Sequence, residues 1–293
     1  METAKDNFLS ITEYCDFKNS CFVVIPFGFE LTTSYAKGTA NGPKAIIKAS
    51  AEVELFDEKL GYEPYKRFGI ATLKPAAIPK NREKAFAGLR KKIEEIVNFG
   101  KIPVVLGGEH SVSLPAILAL KKKYKDIAVL HFDAHSDLRP SYENDPLNHA
   151  CAMHAVLPHV SFLASLGVRN FSAEEVPVLR KNKNKIKIFW ADDFHKKGAA
   201  AIIKKILPLL KGRDIYLSFD VDVFDISLIG SSTGTPEPGG LNYYHIIDCF
   251  ESILPKVNLI GADFVELRTI KNFHAPDFLV AKTLYKALTA ASA

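Results

Sequence analysis

Short apolar runs alternate with longer amphipathic segments from one end of the chain to the other. Eight of the runs read as strands: 21–26 (CFVVIP), 68–73 (FGIATL), 102–107 (IPVVLG), 127–132 (IAVLHF), 160–168 (VSFLASLGV), 185–190 (KIKIFW), 214–220 (DIYLSFD) and 258–267 (NLIGADFVEL). Most are apolar at successive positions, the signature of parallel strands covered on both faces. Between them the period changes. Residues 82–100 place Phe86, Leu89, Ile93 and Ile96 at helical spacing and stop at Gly100, and residues 199–212 repeat the pattern, with Pro208 expected to kink or shorten the helix. This βαβ rhythm requires right-handed crossovers, and it predicts an α/β fold: a three-layer αβα sandwich around an eight-stranded, mostly parallel sheet. No linker-like break in composition and no internal repeat divides the chain, so residues 1–293 read as a single domain.

Composition narrows the class without naming a chemistry. At 47% hydrophobic and 24% charged, the 293 residues are ordinary globular material with enough length for a large core. The net charge of +5 is spread thinly; its densest clusters, 121–125 (KKKYK) and 180–187 (RKNKNKIK), read as solvated helix ends, so no nucleic-acid partner is expected. Cys15, Cys21, Cys151 and Cys249 have neither disulfide-framework nor zinc-site spacing, which suits a reducing cytoplasm. The first twenty residues lack a basic start followed by an apolar core, and no apolar stretch approaches ~18 residues. Export and membrane insertion are therefore not expected.

In a parallel sheet the ligand site lies beyond the carboxyl ends of the strands. Four strand endings are polar in a way their strands do not need. One ends in Gly107, Gly108, Glu109, His110 and Ser111; another in Asp133, His135 and Asp137; a third in Asp220, Asp222 and Asp225; a fourth in Glu266. Side chains alternate along an extended chain, so Asp133, His135 and Asp137 share a face while the strand lasts, as do Asp220 and Asp222. Carboxylates and imidazoles gathered at one rim repel one another unless cations sit among them. A thiolate-free set of aspartates with two histidines suits Mn²⁺, Fe²⁺, Co²⁺ or Zn²⁺, and its oxygen-rich share leans towards Mn²⁺. There are more potential ligands than one ion can use, which makes a two-metal centre the economical reading. A lone Asp225 or Asp145 is explained by turn or helix capping. His131 is ambiguous between a hydrogen-bonded core histidine and a site residue.

With these motifs in order, the chain resembles the ureohydrolases, the superfamily of arginases and agmatinases. The resemblance runs from residues 33–46 (TSYAKGTANGPKAI) through GGEHS, HFDAHSDLR, NHACAM, SFDVDVFD, GTPEPGGL and VEL. It implies a single αβα domain around an eight-stranded parallel sheet, and hydrolysis of a guanidino group to urea and an amine at a binuclear manganese centre. Carried over by position, it implies that His110, Asp133, Asp137 and Asp220 hold one metal, and that His135, Asp133, Asp220 and Asp222 hold the other. Glu266 matches the carboxylate that binds the guanidinium, and His149 the loop histidine assigned to proton transfer. Asp137 would receive a proton from the attacking water and pass it to the departing amine. Two departures, Ile226 and Thr269 where relatives commonly carry proline, touch none of these positions.

Residues 138–148 (LRPSYENDPLN) join a metal strand to the His149 loop and resemble agmatinases more than arginases. Agmatine ends in an ammonium, so Glu143 and Asp145 are candidates to attract that end. The expected reaction is agmatine to putrescine and urea, with two Mn²⁺ per chain. Aminopropylagmatine is the main alternative substrate, followed by arginine and other guanidino acids. The lysine deacetylases that share the fold use a tandem histidine pair, which this chain lacks. A non-catalytic metal-binding relative is the alternative from another class. The resemblance further implies a homo-trimer or homo-hexamer.

Overall fold

A computed structural model describes residues 1–293. All eight expected strands form: β1 (Phe22–Phe27), β2 (Ile70–Thr72), β3 (Ile102–Gly107), β4 (Ile127–Phe132), β5 (Phe162–Val168), β6 (Ile186–Trp190), β7 (Asp214–Asp220) and β8 (Asn258–Val265). They make one sheet in the order β2-β1-β3-β8-β7-β4-β5-β6, and every pairing is parallel. The expected strand at 68–73 shrinks to three residues, because Tyr65–Phe68 is a helical turn that leaves through Gly69 at φ +63°. That shortness accommodates Pro26: β2 pairs only with Phe22–Val24, so no ladder bond is asked of the proline on that side. Pro103 of β3 likewise precedes the Val104–Leu106 segment that pairs with β8.

Helices pack on both faces. The predicted amphipathic helix is Arg82–Asn98, started by Asn81, whose side chain accepts a hydrogen bond from the Lys84 backbone N–H at 2.9 Å, and followed by Gly100 at φ +72°. The second is Ala199–Leu210. Pro208 lies in its last turn, where one lost backbone bond does not end the helix. Two separate cores result, one on each side of the sheet: Phe22, Val24, Leu130 and Phe132 belong to one, Val23, Ile25, Val129 and Ile127 to the other.

Strand register matters most in the centre. Leu106, Phe264, Phe219 and Phe132 are successive partners across β3, β8, β7 and β4, forming one apolar row. Phe219 stacks on Phe264 at 4.8 Å between ring centroids and meets Phe132, Phe224 and Phe250 within 6 Å. One residue earlier, Ser165, His131, Ser218 and Asp263 are partners across β5, β4, β7 and β8. Successive residues face opposite sides, so this buried polar row lies on the other face, together with Asp133 and Asp220 two positions on. No helix is long and apolar enough to cross a membrane.

Phe219→Ala empties the centre of the aromatic row directly before Asp220. Urea denaturation should show a loss of about 3–5 kcal/mol, and a loss below about 1 kcal/mol would mean that the row does not set the strand ends.

Candidate metal centre

The chain runs from β3 past two strand positions to β4, continues outward to β6, and returns to lay β7 and β8 into the gap. The four polar strand endings therefore become neighbours, at the kind of crossover where open α/β sheets bind ligands. Gly107 and Gly108 let β3 turn closely past the loop after β1; a Cβ on Gly108 would lie 2.2 Å from the Phe29 carbonyl oxygen. The turn delivers His110 into the rim with its side chain 1% exposed.

His110 Nδ1 lies 3.2 Å from Asp133 Oδ2, 3.2 Å from Asp137 Oδ2 and 3.3 Å from Asp220 Oδ2, yet it has no hydrogen-bond partner. Its other nitrogen explains the orientation. His110 Nε2 is 2.8 Å from Ser218 Oγ, and Ser218 donates to Asp263 Oδ1 at 2.9 Å. Asp263 also accepts from Ser113 and from the Tyr216 hydroxyl, each at 2.6 Å. With the Ser218 proton given to Asp263, Ser218 can only accept from His110, so Nε2 carries a hydrogen in either protonation state and Nδ1 is the nitrogen aimed at three carboxylate oxygens, where a cation would meet its lone pair. A divalent cation is what such a donor set fits, and the carboxylate-supported imidazole is the usual second layer of a metal site.

Beside it, His135 Nδ1 is 2.8 Å from Asp222 Oδ2 and 3.5 Å from Asp133 Oδ1. Asp133 thus turns one oxygen to each histidine, the placement of a bridging ligand. Backbone N–H groups aim the aspartates: Ala134 donates to Asp222 Oδ1, Asp222 to Asp220 Oδ1 and His135 to Asp133 Oδ1. Arg169, at the end of β5, donates to the carbonyls of Gly167, Asp222, Val223, Phe224, Glu237 and Pro238, tying the Asp222 turn to the loop opposite.

Electrostatics match this crowding. Burial raises Asp220 well above the carboxylate range, and Asp222 and Asp133 add to it. Asp137 is raised by burial and by Asp133. Burial opposes charge on His110 and His135, but the surrounding aspartates outweigh it and hold both well above an ordinary histidine. Protons thus do, without a cation, what a cation would do. Asp133 is the exception: burial is outweighed by His131, His110 and His135, which keep it far below the usual range.

The rim opens into a cavity of about 220 Å³ lined by His110, His135, Asp137, Asp220, Asp222, His149 and Glu266. Glu266 is buried, sits at φ +64° and accepts from the His110 backbone N–H at 2.7 Å; burial first, then Glu109, raises it well above its usual range. Asp137 is also in the left-handed region, at φ +52°. Such backbone strain in non-glycine residues concentrates at functional sites.

Two expected residues are not in the wall. The chain folds back between Tyr142 and Asp145, which exchange backbone hydrogen bonds. Tyr142 faces the cavity, Glu143 is solvent-exposed, and both Asp145 oxygens are taken by the Arg82 guanidinium. That hydrogen-bonded pairing holds Asp145 below its ordinary range and largely cancels its charge, so the cation-attracting role expected of Asp145 is corrected, while Glu143 stands outside the cavity wall. His131 loses its ambiguity. Fully buried, it bonds Ser165 at 3.0 Å and Asp133 Oδ2 at 2.8 Å, supporting Asp133 from below the cavity. Ser218, Asp263, Arg169 and the cavity-lining Glu175 escaped the sequence reading. The available signal was a carboxylate, Asp263, inside an otherwise apolar strand.

The Arginase family model matches residues 20–289. The chain belongs to the arginase family. Among curated relatives of this arginase-family chain, the N(1)-aminopropylagmatine ureohydrolase of Synechocystis is 33% identical over 286 residues, 95% of this chain and 90% of the relative. The agmatinase of Bacillus anthracis is 31% identical over 270 residues, 89% and 88% of the two chains. The agmatine ureohydrolase structure from Thermoplasma volcanium superposes with a TM-score of 0.83 at 28% identity, covering 99% of this chain and 94% of that one. The chain is a ureohydrolase-type enzyme with clusters of histidine and aspartate able to hold metal ions.

Two outcomes follow for metal binding. Asp263→Asn removes the acceptor charge behind Ser218 and His110, and Mn²⁺ affinity measured by chelator competition should fall by about 10–100-fold; an unchanged affinity would show that the relay does not support the site. Binding must also displace protons from His110, His135, Asp137 and Asp220, all of which retain them to higher pH than usual. Affinity should therefore weaken as pH falls, by about tenfold per pH unit for each proton displaced, and a Kd independent of pH between about 5.5 and 7.5 would contradict the electrostatics.

Proposed function

We propose that the chain hydrolyses agmatine to putrescine and urea, with two Mn²⁺ ions held by His110, Asp133, Asp137 and Asp220 and by His135, Asp133, Asp220 and Asp222. The observation carrying this reading is the joint wall of one cavity: two histidines and three of the four metal aspartates, with the buried carboxylate of Glu266 beside them. Two divalent cations in that set would supply the Lewis acidity that makes water nucleophilic near neutral pH.

The chain's own groups do the rest. A guanidinium is planar, cationic and resonance-stabilised, hence a poor electrophile that must be held still. Glu266 is suited to this: it is rigidly placed by its bond to the His110 backbone N–H, and a bound cation would offset the burial that otherwise favours its protonated form. Asp137 lines the cavity within 3.2 Å of His110, where its carboxylate can take a proton from the nucleophile and give it to the departing amine. His149 lines the same cavity at its more exposed side and is the group to exchange protons with solvent.

Aminopropylagmatine is a second reading favoured by one observation, the match to the Synechocystis enzyme of that name along nearly its whole length. Both substrates present the same guanidinium to Glu266 and differ only in the tail. Urea release should be measured with agmatine, aminopropylagmatine, arginine, guanidinobutyrate and guanidine in the presence of Mn²⁺. Agmatine is expected to give the highest kcat/KM, and Glu266→Gln to lower it by about a hundredfold or more. A preference for aminopropylagmatine would transfer the assignment to the longer substrate, and no urea from any of the five despite bound Mn²⁺ would end the hydrolase reading.

A further inference from the structure

Glu109 is wholly buried beside the metal centre, yet its carboxylate does not face the cavity. It turns to the loop after β1 instead. Oε2 accepts the backbone N–H groups of Leu31 and Thr32, both at 2.6 Å, while Oε1 accepts the hydroxyls of Ser111 at 2.5 Å and Thr32 at 3.0 Å. Thr32 then reaches a third segment. Its Oγ1 accepts the His149 backbone N–H at 2.9 Å and lies 3.3 Å from His149 Nδ1. Three loops, from residues separated by 77 and 117 positions, meet on this single hydroxyl.

We propose that Thr32, anchored by Glu109, is the positioning residue for His149 and fixes which ring nitrogen of His149 carries the hydrogen. The proposal rests on the reading that His149 exchanges protons at this site. A hydroxyl has one hydrogen to donate and two lone pairs to accept with. Glu109 is an acceptor surrounded by four donors, so it takes the Thr32 hydrogen. The His149 backbone N–H occupies one lone pair. The contact at Nδ1 is then favourable only if Nδ1 bears the hydrogen and fills the other. Neutral His149 is held with Nδ1–H towards Thr32 and an unprotonated Nε2, the state of an imidazole ready to receive a proton. The same hydroxyl that sets the tautomer also accepts the His149 backbone N–H, and so clamps the start of the His149 turn, which Asn148 caps by accepting from Ala150 N–H at 3.1 Å.

Thr32→Val keeps the shape of the side chain and removes the hydroxyl; Thr32→Ser keeps the hydroxyl. Steady-state kinetics on the Mn²⁺-loaded enzyme, with whichever substrate of the panel releases urea, should show Thr32→Val lowering kcat by about tenfold or more with KM changed by less than about threefold, and Thr32→Ser restoring most of it. In a His149→Ala background Thr32→Val should cost nothing further, because the residue through which it acts is gone. Losses that multiply in the double variant would overturn the proposal, as would a Thr32→Val enzyme with normal kcat. A His149→Ala enzyme with normal kcat would overturn the catalytic part.

A second readout needs neither activity nor metal. In protein labelled with ¹⁵N-histidine, the resonances absent from His149→Asn should report Nδ1–H in the wild type and in Thr32→Ser, and a shift towards Nε2–H in Thr32→Val. Nε2–H in the wild type would overturn the assignment. If the wild type releases no urea from any substrate, the hydrolase reading fails by itself, and these spectra still decide whether Thr32 sets the tautomer.

Discussion

Four aspartates and two histidines cannot share a buried rim as bare charges and lone pairs; something positive has to stand among them. Everything around the site follows from this constraint. Removed from water, Asp137 and Asp220 keep their protons to higher pH than surface carboxylates do, and His110 and His135 keep theirs to higher pH than an ordinary imidazole. The rim has stored a demand for cations in its protonation state. The row Leu106, Phe264, Phe219 and Phe132 locks the four strands in register, directly before Asp133 and Asp220 and a few residues before Glu266 and His110.

The opposite face of the sheet, on β5, β4, β7 and β8, supplies the second half of the arrangement. Alternation places Ser218 under Asp220 and His131 under Asp133, and both reach their neighbours sideways: Ser218 to Asp263 and His110, His131 to Ser165 and Asp133. A polar row inside a core is expensive unless every member is bonded. Here it is bonded through, and what it fixes is the direction of the His110 lone pair. Two layers one residue apart, an aromatic one for register and a polar one for aim, hold the ligands in place.

Much of this was legible in the chain. Two-sided apolar runs are found as eight parallel strands, and polar strand endings are found gathered at one rim, because burial on both faces and alternation are local properties. Strand order is not local. That β7 and β8 fill the gap between β3 and β4 makes neighbours of residues more than a hundred positions apart, and so the partnership of His110 with Ser218 and Asp263 leaves no mark in spacing. Asp145 shows the opposite failure. Proximity in sequence to Asp137 suggested proximity to the substrate, but two backbone hydrogen bonds reverse the chain at Tyr142 and send Asp145 to Arg82, on a helix that begins more than sixty residues earlier. Left-handed backbone at Asp137 and Glu266 was equally invisible, since neither is a glycine.

The corrected wall also bears on how a cationic substrate is distinguished. With Asp145 neutralised by Arg82, the negative charge of the cavity is concentrated at its floor, in the metal aspartates and Glu266. Bound divalent cations would cancel most of the former, leaving Glu266 as the buried anion facing the guanidinium. The outer wall offers no second free carboxylate: Asn170, Ser172 and Thr235 are neutral, Arg139 is a cation 3.5 Å from Glu174, and Glu175 spends its oxygens on Ser136, Ser172 and Leu138. Orientation is therefore decided at the deep end. On the proposed reading, a substrate with a cation at each end would enter guanidinium first, because the planar guanidinium matches the desolvated carboxylate of Glu266. Discrimination by tail length then rests on shape and neutral hydrogen bonding, where differences between related substrates are smallest.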